Sequence, residues 1–251
     1  PVNPDLIVHA ASNATPDLYT SKPIETIITN VIGTTNILNL AKESNSNLVY
    51  ASTVEVYGNI SDSFPGEMVT ESMFGGIDCN ELRSSYPESK RLSETLCRAY
   101  HSQHNINVKI ARLSKTYGPV KSNADNRVMA YILNCMLNNK SIEMKSDGSR
   151  IFSFCYITDA AHALILILMK GLPGEAYNIA DSSSVASLKE ISDYCSKISG
   201  VSVTYEPASH LGQISHDTLA CSSKLEKLGW KAYTDILKGL EKQYSAARNA
   251  L

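Results

Sequence analysis

Leu48-Val49-Tyr50-Ala51-Ser52-Thr53-Val54-Glu55-Val56-Tyr57-Gly58 is the stretch that decides the fold. An apolar run closing on two hydroxyls and a carboxylate reads as a buried strand whose last residues open into a cleft. Downstream stands Tyr86-Pro87-Glu88-Ser89-Lys90. Residues four apart share one helix face, so Tyr86 and Lys90 point at the same spot. An ammonium beside a phenol favours the phenolate and brings proton transfer toward neutral pH. By itself the pair fits a surface ion-pairing helix equally well. Together with the hydroxyl-rich strand end it becomes a candidate redox proton relay.

Working outward, Pro23 to Ser44 reads as a helix with proline at its start. A polar stretch, Asn59 to Ser85, follows the strand and reads as a loop. Then come a helix over Tyr86 to His104 and a strand over Val108 to Leu113, with a turn at Tyr117-Gly118-Pro119. Arg127 to Asn138 is helical by spacing, Ser141 to Lys145 a short strand and Ile151 to Ile157 another. Thr158-Asp159 reads as the N-cap of a buried apolar helix, 160–169. Beyond Asp181 the pattern gives a helix near 187–199, a strand near 201–205 and a short helix around 222–228. This alternation predicts an α/β fold, a Rossmann-like doubly wound parallel sheet with helices on both faces.

With 23 basic and 25 acidic residues, the net charge of −2 calls for no polyanionic partner such as a nucleic acid. The six cysteines form no Cys-x-x-Cys pair, which argues against a zinc site and for free thiols in a reducing cytoplasm. The run Ala160 to Met169 is too short to span a bilayer. No glycine-rich phosphate loop of the Gly-x-x-Gly-x-x-Gly or Gly-x-Gly-x-x-Gly type occurs. Asp5 to Ala11 already reads as a buried strand, so about a quarter of a typical dinucleotide domain is expected to be missing from this sequence. The expectation is weak cofactor binding by the chain as written.

Residues 86–100, Ser52 to Gly58, Ile110 to Pro119, Asp5 to Ala11 and Ala176 to Ala180 together resemble the extended short-chain dehydrogenase/reductases that modify nucleotide sugars, the NAD-dependent epimerase/dehydratase group. The resemblance implies that a sugar C4 hydroxyl is oxidised with NAD. In that scheme Tyr86 takes the proton, Lys90 tunes it and holds the nicotinamide ribose, and Thr53 bonds the same sugar oxygen. It also implies cofactor contacts from Ala10, Ala11, Ser52, Tyr86, Lys90 and Ser114. Thr53 also suits a strand for its β-branching alone, and Ala10 and Ala11 suit core packing. His9 reads as a core histidine, and His162 carries no chemistry.

Glu55 separates branches of the resemblance. A glutamate there accompanies 4,6-dehydratases and decarboxylases of nucleotide-bound glucuronate, whereas 4-epimerases carry a small or hydroxyl residue. Val54 stands where dTDP-glucose dehydratases have an aspartic acid, so the pattern leans toward a decarboxylase-like site. Two departures oppose this: Phe152 occupies the place of an expected arginine, with Arg150 two residues earlier, and Lys115 the place of an asparagine. Lys115, Arg127 and Arg150 are the candidate contacts to the nucleotide sugar.

The expected domains are a partial NAD-binding unit, 1–119 with a contribution from 151–180, and a substrate-binding lobe of 120–150 and 181–251. The expected activity is C4 oxidation followed by decarboxylation or dehydration. A 4-epimerase, a catalytically impaired binding homologue and an NADPH reductase are the rivals. Relatives pair through a four-helix bundle, so a cytoplasmic homodimer built on the helices beginning near Pro23 and Tyr86 is expected. No metal site and no membrane partner are expected.

Overall fold

Strand β2 (Asn47–Thr53) is buried along its length after Asn47, as a strand with neighbours on both edges and helices on both faces must be. In the computed structural model, which describes residues 3–60, 67–119, 125, 127–207 and 219–249, β2 lies between β1 (Leu6–His9) and β3 (Val108–Leu113). With β7 (Ala176–Ile179) they form a parallel sheet in the order β1-β2-β3-β7. Helices α2 (Pro23–Ser44) and α3 (Ser85–His104) cover one face, around Leu38, Leu48, Tyr50, Cys97, Val108 and Ile110. A short helix, α1 (Pro16–Ser21), leads into α2. Helix α5 (Ile157–Lys170) covers the opposite face, where Val49, Ala111, Ala163, Ile167 and Tyr177 pack.

A second core gathers around a mixed sheet of β4 (Lys115–Tyr117), β6 (Ile151–Tyr156) and β8 (Val185–Ser187). Beside it, β5 (Ile142–Met144) pairs in parallel with β9 (Val203–Tyr205). Helices α4 (Val128–Leu137), α6 (Leu188–Ser199) and α8 (Ile236–Arg248) close over Ile132, Met136, Phe154, Ile191 and Leu240. Gly239 of α8 lies so close to the Tyr117 hydroxyl that a Cβ would collide with it. The short α7 (Ser223–Glu226) sends Leu225 back into the core beneath α5.

Local chemistry sets the ends. Pro23 opens α2, and Asn45 closes it in the left-handed conformation with φ 53°, its N–H donating to the Ala41 carbonyl. Asn105 ends α3 the same way. Ser187 and Glu190 form a capping box on α6.

Four expectations need correction. Tyr156, not Thr158-Asp159, caps α5, because Asp159 is engaged elsewhere: its carboxylate accepts from the Tyr233 and Thr234 N–H groups and its carbonyl from Trp230 Nε1. Helix α5 is only half buried, with Ile165, Met169 and His162 exposed. In β1 only His9 is buried; Leu6 and Val8 are exposed, as residues of the outermost strand of the described sheet. Tyr117, expected to open a turn over 117–119, is instead the last residue of a strand, β4. Of the expected loop 59–85, residues 61–66 lie outside the described residues.

The N-terminal half of helix α2 is inverted. Its buried side carries Thr26, Asn30 and Thr34, while Ile24, Ile27, Ile28 and Ile32 are exposed. The polar seam is satisfied: Asn30 Nδ2 donates to Ser89 Oγ at 2.9 Å, Ser93 Oγ to the Asn30 carbonyl at 2.9 Å, and His9 bonds Thr34 at 3.0 Å.

Candidate active site

The C-terminal ends of β1, β2 and β3 open into a cavity of about 1120 Å³, the position where open α/β sheets bind ligands. Ala10, Ser52, Thr53, Glu55, Tyr86, Lys90, Ser114, Lys115 and Arg127 all line it. Ala11 and Arg150 do not: Ala11 is exposed next to Ala10, and Arg150 is half buried just before β6.

Thr53 ends β2 and accepts the Glu55 N–H at 3.2 Å, capping a 3-10 turn over Val54–Tyr57. That turn swings Glu55 toward the cavity. It ends at Gly58 (φ 65°), where any side chain would strike the Gly76 carbonyl. The Thr53 hydroxyl lies near enough to the Tyr86 phenol to act on it. Burial first, then the Glu55 carboxylate, pushes the Tyr86 phenol above its ordinary value; the Thr53 hydroxyl and the Arg127 charge pull the other way.

Lys90 is turned from the phenol. Its Nζ donates to the Ala51 carbonyl at 2.8 Å and lies 4.8 Å from the centre of the Tyr50 ring. Burial holds this ammonium down to about 8, against the opposing pull of Glu94. His9 is pushed down to about 4 by burial and by Lys90, so it is neutral near pH 7. Ser52 points inward: its hydroxyl donates to Glu94 Oε1 at 2.6 Å. Glu94 in turn takes two branches of the Arg112 guanidinium, at 3.0 and 2.7 Å.

Lys115 reaches the cavity from β4, its Nζ 4.1 Å from the centre of the Phe152 ring. Enclosure by protein, and the nearby charges of Arg83 and Arg150, hold its ammonium below the usual lysine range; Glu55 opposes them. Arg127 is engaged by Asp125, which accepts from Nε at 2.9 Å and Nη2 at 2.5 Å.

Two cavity residues escaped the sequence reading. Arg83 Nη2 donates to Glu55 Oε2 at 3.1 Å and Nη1 to the Tyr19 hydroxyl at 2.9 Å. The Tyr19 ring stacks on Tyr86, with centroids 5.0 Å apart and planes at 18°. Arg83 stands one turn before Tyr86, a usable signal; Tyr19 comes from α1 and has none.

A sequence profile of the NAD dependent epimerase/dehydratase family matches residues 1–180. The chain belongs to that family. Two Arabidopsis thaliana proteins are similar to it. UDP-glucuronic acid decarboxylase 3 is 33% identical over 238 residues, covering 94% of this chain and 68% of its own length. UDP-glucuronic acid decarboxylase 6 is 39% identical over 167 residues, 66% of this chain and 48% of its own length. Among solved structures, the UDP-glucose 4-epimerase of Thermus thermophilus with NAD superposes with a TM-score of 0.85 at 20% identity, covering 99% of this chain and 79% of that one. A UDP-glucuronic acid 4-epimerase from Bacillus cereus, with UDP-4-deoxy-4-fluoro-glucuronic acid and NAD, gives 0.83 at 25% identity, with coverages of 98% and 76%.

The family's cofactor is NAD, and the cavity fits a polar ligand of that kind. The Ser114 hydroxyl is buried in the cavity wall without a hydrogen-bond partner, a group that a ligand satisfies. No cluster able to hold a metal ion occurs among the described residues, and no helix among them is long and apolar enough to cross a membrane.

Proposed function

We propose that this member of the NAD dependent epimerase/dehydratase family oxidises C4 of a nucleoside-diphosphate uronic acid and then decarboxylates it. The observation that carries the reading is Glu55, held in the cavity beside Thr53 and Tyr86. Bound NAD⁺ supplies the hydride acceptor. Tyr86 takes the proton of the C4 hydroxyl, and Thr53, beside the phenol in the cavity, orients that oxygen. Lys90, anchored on the Ala51 carbonyl in the cavity wall, would hold a ribose hydroxyl of the cofactor. Ser114 and the backbone at Ala10 would border the same ligand. Glu55 acts at C5: the C4 ketone takes up the electron pair left when the C5–C6 bond breaks and carbon dioxide departs, and a proton relayed through Glu55 then closes C5. Lys115, with Arg127 and Arg150 behind it, meets the diphosphate or the sugar carboxylate.

The similarity to the two decarboxylases supports this branch. Val54, beside Glu55, has no proton to give a departing hydroxyl, which weighs against dehydration. A division into a cofactor unit (1–119 with 151–180) and a substrate lobe (120–150 with 181–251) is supported by the two separate cores, with the ends exchanged: Tyr117, Phe152 and Phe154 pack in the second core, and Leu225 and Trp230 in the first. A homodimer through α2 and α3 is supported by the isoleucine face of α2 and by exposed Leu92 on α3. Cytoplasmic residence is supported by the free thiols.

The test is mass spectrometry of products after full-length protein receives NAD⁺ and a panel of nucleotide sugars. Loss of carbon dioxide from a nucleotide uronate is the expected result. A product of unchanged mass with inverted C4 makes the protein a 4-epimerase and ends this reading.

A further inference from the structure

Arg83 connects three groups that the sequence scatters. One branch of its guanidinium meets the Tyr19 hydroxyl at 2.9 Å, the other meets Glu55 Oε2 at 3.1 Å, and its carbon lies 5.3 Å from the centre of the Tyr19 ring. Tyr19 is a fixed post. It is 2% exposed, its ring lies flat on Tyr86, and its carbonyl accepts from Ser85 Oγ at 2.9 Å. Glu55 is the opposite: its side chain is 34% exposed at the cavity, on a short 3-10 turn.

The worth of the pair lies in direction rather than stability. The Arg83 and Glu55 side chains are 38% and 34% exposed, and a pair this open adds little to stability. A guanidinium is nevertheless a rigid planar fork, so fixing one branch fixes the other. A glutamate has three free torsions, and a carboxylate displaced by ~1 Å from its reacting atom loses about a hundredfold in rate.

We propose that Arg83 is a positioning residue for Glu55 and that Tyr19 is the post that holds it. The stack of Tyr19 on Tyr86 makes the bracket continuous: the group that takes the C4 proton and the carboxylate serving C5 are held to one frame. Arg83 acts on the reacting atoms only through Glu55. This inference rests on the role given to Glu55 above.

The test measures kcat and KM in the full-length protein with NAD⁺ and the nucleotide sugar it turns over, for Arg83→Gln, Arg83→Lys, Tyr19→Phe and Glu55→Gln, alone and combined. Arg83→Gln is expected to lower kcat by about ten- to a hundredfold with KM changed less than about twofold. Arg83→Lys recovers only part of the loss, because an ammonium has no fixed fork. Tyr19→Phe loses several-fold. In a Glu55→Gln background, Arg83→Gln costs nothing further, since no carboxylate remains to aim. A rise in KM with kcat preserved overturns the inference and makes Arg83 a direct substrate contact. Losses that multiply in the double variant, or wild-type rates in Arg83→Gln, also overturn it. If Arg83→Gln does not fold, Tyr19→Phe with and without Glu55→Gln carries the same cycle. Full activity of Glu55→Gln alone instead sinks the role assigned to Glu55, and so separates the two failures.

Discussion

Lys115 Nζ sits over the face of Phe152, 4.1 Å from the ring centre. The two residues at which the chain departs from the pattern it resembles are therefore one unit. Phe152 brings no charge, and the cation arrives from the neighbouring strand, since β4 and β6 pair with Lys115 opposite Phe154. A ring beneath an ammonium contributes about 0.5–2 kcal/mol. Lys115→Met is expected to raise KM for the nucleotide sugar about tenfold or more, and Phe152→Leu a few-fold. Because the ammonium is held below the usual lysine range, it loses its proton earlier as pH rises. KM of the wild type should therefore climb at a lower pH than an ordinary lysine would give, and that climb should vanish in Lys115→Met. A pH-independent KM in the wild type refutes this.

Tyr86→Phe should lower turnover by about 10²–10⁴ while leaving the melting temperature near that of the wild type. The ring that stacks on Tyr19 survives the change; only the hydroxyl beside Thr53 is lost. Product formation and thermal unfolding, measured on the same preparation, decide it. Retained turnover would remove Tyr86 from the chemistry.

Lys90 couples folding to pH. It is 3% exposed, and burial holds its ammonium at about 8, against about 10.4 in an unfolded chain. Between these values the unfolded chain binds more protons than the folded one, so stability rises with pH across the window. Below about pH 8 the full penalty remains; above about 10.4 it is gone. The rise is roughly 3 kcal/mol at most. Buried tyrosines oppose it at still higher pH, because Tyr19, Tyr50 and Tyr86 hold their protons longer in the folded state. Urea unfolding at about pH 7.5 and about pH 9.5 should show a rise in wild type that Lys90→Met lacks. Parallel behaviour of the two proteins would mean that Lys90 is not charged and buried in the way described.

The boundaries of β2, β3, α2 and α3 were legible because each carries its own signal: a continuous apolar run for the strands, Pro23 and Asn45 at the ends of α2, Asn105 at the end of α3. Helix α8 left no such trace. Its core contacts are Ile236 and Leu240, and a glycine interrupts them at Gly239, which only the packing against Tyr117 explains. In the site, Thr53 with Glu55 and Tyr86 with Lys90 are short-range spacings, and short-range spacing is what a sequence displays. Arg83 and Tyr19 meet across 64 positions, and no local pattern announces that. The isoleucines of α2 were visible as a stripe, but its outward direction follows from Asn30 finding Ser89 and Ser93 on α3.

That stripe makes a further prediction. If two copies join through α2 and α3, Ile28→Glu with Ile32→Glu should convert a dimer into a monomer in sedimentation velocity, with the helical circular dichroism unchanged because the inner seam of Thr26, Asn30 and Thr34 is untouched. A wild-type protein that sediments as a monomer ends the idea.

The Ser52 hydroxyl, turned from the cavity onto Glu94, begins a run of contacts that crosses the molecule. Arg112 grips Glu94 and lies 4.7 Å from the centre of the Tyr57 ring, the Tyr57 hydroxyl donates to Asn178 at 2.6 Å, and Asn178 donates to the carbonyls of Val69 and Cys221. The inheritance of the site is constrained accordingly. A lineage that altered the segment around Cys221 to suit a new sugar would shift the residue adjoining Thr53 as well. The Lys115 and Phe152 wall is tied to the same residues by other means, because the Glu55 and Arg83 charges act on the Lys115 ammonium.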